Sequence, residues 1–440
     1  MRVGIVGAGA TGLAAAYELT RQGHAVQVFE RSPFLGGHAS TFDAGGTRLE
    51  RGYHHWFTHD TDIVDLVIEI GLGDTIRWID STVGTLHGGT IYNFVTPIDL
   101  LKFKPLSLPD RLGLGLTTLY LQRQKNWRKY EGVAADEWLR KHGGRKPYDV
   151  FWGPMLRGKF GEDNYDQVSM AWVWGKINTR VKSRGKNMVR EMLGYPMGSF
   201  GEVFDVLADR IRAKDGEIHT SASVERIVAE DGRANGMQVS IGGEEPRFEA
   251  FDAVIATTPS PVLPRILPDL SGEYLSRLSA ARYMSAVLIV LVLKRSLSDV
   301  YWLNVADRSI PFVGVIEHTN LIGPEHYGGN HVVYLSNYVT TEDPLYSMEH
   351  DELLDTYLPH LRKVNPAFDR SWIEASYHHR VDYAQPIVGV DYSNHMPGHR
   401  TPVKGAYLAN TTQIYPEDRG TNYSVRMGRQ VAKLVMEDLA

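Results

Sequence analysis

The sequence predicts an α/β fold: a parallel sheet wrapped by helices, with a discontinuous α+β domain inserted into it. Three observations carry this. The apolar run Arg2–Val6 passes directly into Gly7-Ala8-Gly9-Ala10-Thr11-Gly12 and then into the helix-forming stretch Leu13–Leu19. A second β run, Ala25–Phe29, ends on Glu30, 18 residues after Gly12. At 440 residues the chain is too long for one compact core and suits two domains that share the sequence discontinuously, and short apolar strands recur at 251–256 and 405–410.

The N-terminal unit is organised by its glycines. Gly7 permits the tight turn after the strand, Gly9 lets backbone amides approach a pyrophosphate, and Gly12 lets the helix pack closely on the strand. The helix start offers unpaired N–H groups and a positive dipole end to phosphates. Gly23 stops the helix, and Glu30 stands where an acidic side chain hydrogen-bonds an adenosine ribose. The unit is therefore Rossmann-like and expects a dinucleotide.

The loop after Glu30 selects the dinucleotide. Arg31-Ser32-Pro33-Phe34-Leu35-Gly36-Gly37-His38-Ala39-Ser40-Thr41 resembles the second signature of FAD-binding oxidoreductases of the amine oxidase type. That superfamily holds protoporphyrinogen oxidase, flavin amine oxidases and phytoene desaturases, with UDP-galactopyranose mutase a more distant likeness. The resemblance implies a GR2-type FAD domain. Its cofactor contacts here are Gly7, Gly9, Ala10, Thr11, Gly12, Glu30 and Arg31, then Gly36, Gly37, His38, Ala39 and Ser40 along the ribityl-phosphate chain.

The remaining elements divide the chain into alternating segments. Residues 1–95 form the first part of the FAD domain, with Asp60 placed to cap a helix from Thr61 to Ile70. Residues 96–194, rich in Trp and basic side chains, begin the substrate domain. Residues 195–260 return to the FAD domain through a helix near 202–214 and strands at 218–220, 224–228 and 251–256. Residues 261–397 complete the substrate domain, with antiparallel strands expected at Val287–Leu293, Phe312–Ile316 and His331–Asn337. Residues 398–440 supply the last strand and helix. By resemblance, Val224 and Thr257 lie beside the cofactor. The family's Gly-Asp after the final strand is Asn410-Thr411 here, a departure that shifts its role toward Asp418, Gly420, Thr421 and Asn422.

Composition narrows the chemistry. A formal charge of −5 gives no general affinity for polyanions, so nucleic acid is not an expected partner. The absence of Cys excludes disulfides, iron–sulfur ligation and dithiol redox chemistry. An N-terminus that enters a core strand at once, with no apolar stretch of spanning length, points to a cytoplasmic protein. No second G-x-G-x-x-G follows a strand, so reducing equivalents are expected from the substrate rather than from a nicotinamide. The His378-His379 pair has no carboxylate or third His at helical ligand spacing, so no metal is expected there.

Four places are candidates for catalysis. Arg51, His54 and His55 follow the Gly-Gly loop, where a near-neutral imidazole suits proton transfer and Arg51 suits an anionic partner. Arg157, with Lys159 second to it, interrupts an apolar segment that resembles the cavity lining of protoporphyrinogen-oxidase-like proteins. Tyr383 precedes an Ala-x-Pro stretch like one that passes over the flavin in the superfamily. The run Lys176, Arg180, Lys182, Arg184, Lys186, Arg190 suits a diphosphate, a carboxylate or anionic headgroups. The stretch Leu112–Leu121 is expected as a buried helix, with a membrane surface as the alternative.

The function these features imply is FAD-dependent oxidation of a small organic substrate, an anionic one included. Hydride passes to flavin N5, and oxygen or another acceptor reoxidises it. The alternative is a redox-neutral sugar mutase acting on a nucleotide sugar. The residues do not choose among porphyrinogen, polyene, amine and sugar.

Overall fold

The computed structural model describes residues 1–183 and 191–440. Its first sheet is parallel throughout and is assembled from distant parts of the chain. Strand β1 (Arg2–Val6) leads through helix α1 (Ala10–Arg21) to β2 (Ala25–Phe29). The later strands are β3 (Glu217–His219), β4 (Ala253–Ala256) and β5 (Ala406–Leu408). Their order in space is β3-β2-β1-β4-β5. Val3, Ile5, Val28, Ile255 and Leu408 are fully buried, as expected of a parallel sheet covered on both faces.

Between these strands the chain contributes α2 (Thr61–Glu69), α3 (Pro97–Lys102), α4 (Leu108–Arg123), α5 (Gly153–Phe160), α6 (Met170–Lys182) and α7 (Ser199–Arg212). The terminal helix α8 (Thr421–Leu439) packs along α1. A Cβ at Gly428 would stand 2.4 Å from Thr11 O and 2.8 Å from the Ala14 Cβ, so this glycine sets the closeness of the helix pair.

A second, seven-stranded sheet forms the other half of the molecule. Residues 283–293 lie within it, antiparallel to both 331–339 and 373–386. Val287–Leu293 and His331–Asn337 fall within these strands, and the third expected strand starts later than its apolar run, at Gly314–Glu317. Val83–His87 and Thr90–Asn93 also join this sheet, through a parallel pairing with 302–305, so the chain enters it before residue 96. Helix α3 packs against Thr90–Asn93 of this sheet and α5 against His331–Val339. Among the described residues no helix is long and apolar enough to cross a membrane.

Candidate active site

The glycine turns act by two different physical routes. At Gly7 the backbone is left-handed (φ 103°), and a Cβ would stand 2.5 Å from Thr257 Oγ1. At Gly12 a Cβ would fall 2.0 Å from the Gly7 carbonyl oxygen. Gly9 is unlike both: a Cβ there would meet only Gly37 Cα, at 3.8 Å. The protein has room for a side chain at Gly9, so that glycine answers to something in front of it. In front of it lies the first turn of α1, which no side chain caps. Its amides at Ala10, Thr11 and Gly12 face outward with the positive end of the helix dipole.

The second glycine turn abuts the first, with Gly36 N donating to Ala8 O at 2.9 Å. Glu30 is held by two backbone donors, Ala8 N to Oε2 and Ser32 N to Oε1, both at 2.8 Å. Each carboxylate oxygen keeps a lone pair for a ribose hydroxyl. Ser221 N and Ala222 N donate to Ser32 O and Glu30 O, which lays the strand of Val224 beside this loop. Thr257 Oγ1 donates to Val6 O at 2.8 Å. Arg31 is exposed at the rim, while Ala39 and Ser40 are buried.

From His38 and the N-terminus of α8, a cavity of about 570 Å³ extends toward α4. Gly420, Thr421 and Asn422 stand at its inner end. Trp56 Nε1 donates to Thr421 Oγ1 at 3.1 Å, and Asn422 Oδ1 accepts from Ile63 N at 3.2 Å. Asn422 Nδ2 is buried without a protein acceptor. An uncapped helix start, a glycine free of packing duty and an orphaned buried amide thus lie along one path. These residues fit FAD: Glu30 and the α1 amides would hold its adenosine and pyrophosphate, and the start of α8 would hold its ring. Asn410, by contrast, is committed to the protein: its Nδ2 donates to Thr258 O at 2.8 Å and to Ser260 Oγ at 3.1 Å. The Asn410-Thr411 departure is a bracket between β4 and β5.

A charge cluster lies in the cavity wall. Lys159 Nζ and Lys176 Nζ both reach Asp418 Oδ2, at 2.6 and 2.9 Å. Arg419 donates to Tyr338 OH at 3.0 Å, and Arg180 pairs with Glu191 at 3.3 Å. Among the described residues, four cations thus share two carboxylates. Burial works against ionisation of Asp418, but Lys159, Lys176 and Arg419 outweigh it and hold the carboxyl far below its usual range. Burial, only partly offset by Asp418, brings Lys176 down to about 8. Of the basic run, Arg184, Lys186 and Arg190 lie outside the described residues.

Several expected catalytic residues are placed differently from the sequence pattern. His54 and His55 do line the cavity. However, burial lowers them to about 4 and about 3, so neither is the near-neutral imidazole expected. His54 Nδ1–H donates to Gly52 O at 2.6 Å, the carbonyl fixing the tautomer, and His55 Nδ1 meets Tyr301 OH at 2.9 Å. Arg51 lies away from the cavity, its guanidinium 4.3 Å over the Phe34 ring and near His379. Arg157 also turns away, stacking on Tyr165 and pairing with Glu162, and Lys159 takes the inward position. Tyr383 packs on Tyr283, while its neighbours Val381 and Ala384 face the cavity.

Of the two carboxyls that line the cavity, Asp418 and Asp60, the one brought toward neutral pH is Asp60. The sequence places it as a helix cap, but its side chain does not cap α2; Oδ2 accepts from Phe57 N at 2.8 Å. Its Oδ1 is buried without a hydrogen-bond partner, the residue lines the cavity, and burial raises the carboxyl to about 6. The sequence signal is ambiguous here, because Asp before a helix is usually a cap.

The family model for flavin containing amine oxidoreductase matches residues 10–436. The chain belongs to this family. Its cofactor is FAD, and it is an FAD-dependent oxidoreductase. A probable zeta-carotene desaturase of Synechococcus elongatus is 23% identical over 99% of both chains. A putative protoporphyrinogen oxidase from Exiguobacterium sp. 255-15 shares the fold with a TM-score of 0.76, at 20% identity over 99% of each chain. Reduced UDP-galactopyranose mutase does so with a TM-score of 0.74, at 16% identity over 100% of this chain and 96% of that one. The α/β architecture with a Rossmann-like FAD unit is thus that of family members.

Proposed function

We propose that this oxidoreductase dehydrogenates an elongated, largely apolar organic substrate carrying an acidic group. The observation that carries the reading is one continuous cavity, cationic at the α8 end and apolar toward α4. Phe94, Leu114, Phe151, Met155, Val173 and Ile177 supply its apolar wall. Lys159, Lys176 and Arg419 supply donors for a carboxylate or phosphate.

Bound flavin supplies the acceptor for a hydride leaving a substrate C–H bond, and oxygen or another acceptor takes the electrons onward. The protein's tasks are orientation and proton removal. The cation cluster anchors the acidic group, and the apolar wall excludes water and aligns the body. The proton released from the neighbouring carbon or heteroatom passes to Asp60, whose free Oδ1 is ionised near neutral pH. His54 and His55 stay uncharged throughout and shape the wall.

The cation cluster also favours a second reading, a redox-neutral transfer on a nucleotide sugar whose diphosphate it would hold. Anaerobic addition of polar and of lipid extract fractions to the FAD-loaded protein separates the two. Bleaching of the oxidised flavin absorbance by an acidic lipid fraction is the expected result. No bleaching by either fraction, with conversion of a nucleotide sugar only after chemical reduction, overturns the dehydrogenase reading in favour of the mutase.

A further inference from the structure

Helix α4 is apolar on two faces. Leu114, Thr117 and Leu121 point inward and are buried, as expected of a helix in the substrate domain. On the opposite side Leu108, Leu112, Leu116, Leu119 and Tyr120 recur at helical spacing and are 46% to 67% exposed. Ile98 and Leu101 on the adjoining α3 are 60% and 46% exposed. Of the nine large apolar side chains exposed among the described residues, these seven belong to one helix pair. Scattered leucines need no partner, whereas a contiguous stripe does.

Charge says what the partner is. Lys102, Lys104, Arg123, Lys125, Arg128 and Lys129 are exposed around the stripe. The two acids of the same stretch are engaged at helix starts, Asp99 with Thr96 and Asp110 with Ser107. The chain as a whole is acidic, at −5, so the border of the stripe reverses the general sign. An apolar helix face edged with cations matches an interface of acyl chains beneath anionic headgroups, whereas a second copy docked by the same face would set cation against cation along the rim. The cavity opens along the same helix. Leu100, Gly115, Thr118, Leu119 and Gln122 line it, and Leu119 is both exposed and a lining residue.

We propose that the outer face of α3 and α4 docks on an anionic lipid surface, with the cavity mouth at Leu119 facing the lipid. Substrate then enters from the bilayer without crossing water; that second half rests on the apolar-substrate reading above.

The test is co-sedimentation of the full FAD-loaded chain with vesicles of phosphatidylcholine alone or mixed with phosphatidylglycerol. The wild type is expected to bind the mixed vesicles and to be released as salt is raised. Leu112→Ser with Leu116→Ser should lower the bound fraction about tenfold, and Lys125→Ala with Lys129→Ala should lower it on mixed vesicles only. Neither pair lines the cavity, so flavin content should be unchanged, as should flavin reduction by a detergent-dispersed substrate. A wild type that stays unbound on mixed vesicles at low salt overturns the proposal. So does a solution dimer that the Leu112/Leu116 pair disperses, which would assign the face to a second copy. Failure of flavin reduction in detergent with vesicle binding intact would instead count against the dehydrogenase reading and leave the docking supported.

Discussion

The two ends of the site are built from different materials. At the nucleotide end the phosphate-facing groups are backbone, the amides of α1, with Glu30 as the side chain beside them. The glycines that shape the turn, Gly7, Gly9 and Gly12, lie within six residues of one another. At the cavity end the ligand-facing groups are side chains, brought from residues as far apart as His38 and Tyr423. A backbone cradle tolerates almost no change at its tight points but says little about substrate. A side-chain cavity tolerates single changes and sets what is oxidised.

The largest effect should come from breaking the cradle, and Gly9 and Gly12 separate its two duties. Gly12→Val drives a side chain into the Gly7 carbonyl, so the fold itself should fail, with little soluble protein. Gly9→Val meets only Gly37 at contact distance, so the thermal midpoint of the apoprotein should stay within a few degrees while flavin absorbance is lost. A yellow Gly9→Val protein would remove the pyrophosphate from this turn.

The cavity end is probed next through Asp60. Asp60→Asn keeps a polar group for Phe57 N but cannot take a proton, and should lower kcat by about 100-fold, within the range for a positioned base. Flavin content should be unchanged. In the wild type, kcat should fall as pH drops through about 6, because the raised carboxyl is then protonated. That limb should vanish in the variant. A retained limb would place the base elsewhere.

Lys176→Met is a smaller perturbation, since Lys159 remains on Asp418. Loss of one charged hydrogen bond to an acidic substrate should raise KM about tenfold with kcat little changed. The sign of the pH dependence follows from the lowered value: Lys176 is charged below about 8 and loses its proton above it. Wild-type KM should therefore rise as pH passes through 8, and the variant's should be flatter there. An unchanged KM would sever the cluster from substrate binding.

The contrast between the two ends also explains what is legible in the sequence. The strand–turn–helix at 2–21 and Glu30 are local, so spacing places them, and the Gly36-Gly37 turn is legible through the family signature that its loop resembles. The second sheet's long strands are visible as apolar runs. The cavity is harder because one residue of register decides it. Arg157 and Lys159 sit about 200° apart on α5, and helix packing turns the second inward. Val381 and Tyr383 would share a face of a regular strand, but Tyr383 takes a left-handed backbone (φ 52°) at the irregular pairing between Met284 and Ala286, and Ala384 reaches the cavity in its place. Asp60 carries the signature of a cap and loses that role when Phe57 N takes its carboxylate. None of these outcomes is encoded in neighbouring residues.

The smallest expected effect is at the histidines. A pair of imidazoles beside a flavin loop invites an acid–base role, and on that view substitution stops turnover. Burial has moved both far below neutral pH, and their Nδ1 atoms are engaged by Gly52 O and Tyr301 OH. Neither titrates where the enzyme would work, so neither can supply a kinetic limb near neutrality. His55→Gln preserves polar reach toward Tyr301 and should change kcat by less than about threefold, with the limb near 6 intact. Loss of that limb in His55→Gln, rather than in Asp60→Asn, would return the base to the histidine pair. It would also mean that a bound ligand lifts the imidazole from about 3 to the pH of the limb, a change of roughly 4 kcal/mol. A substrate carboxylate placed against the ring is the group able to deliver it.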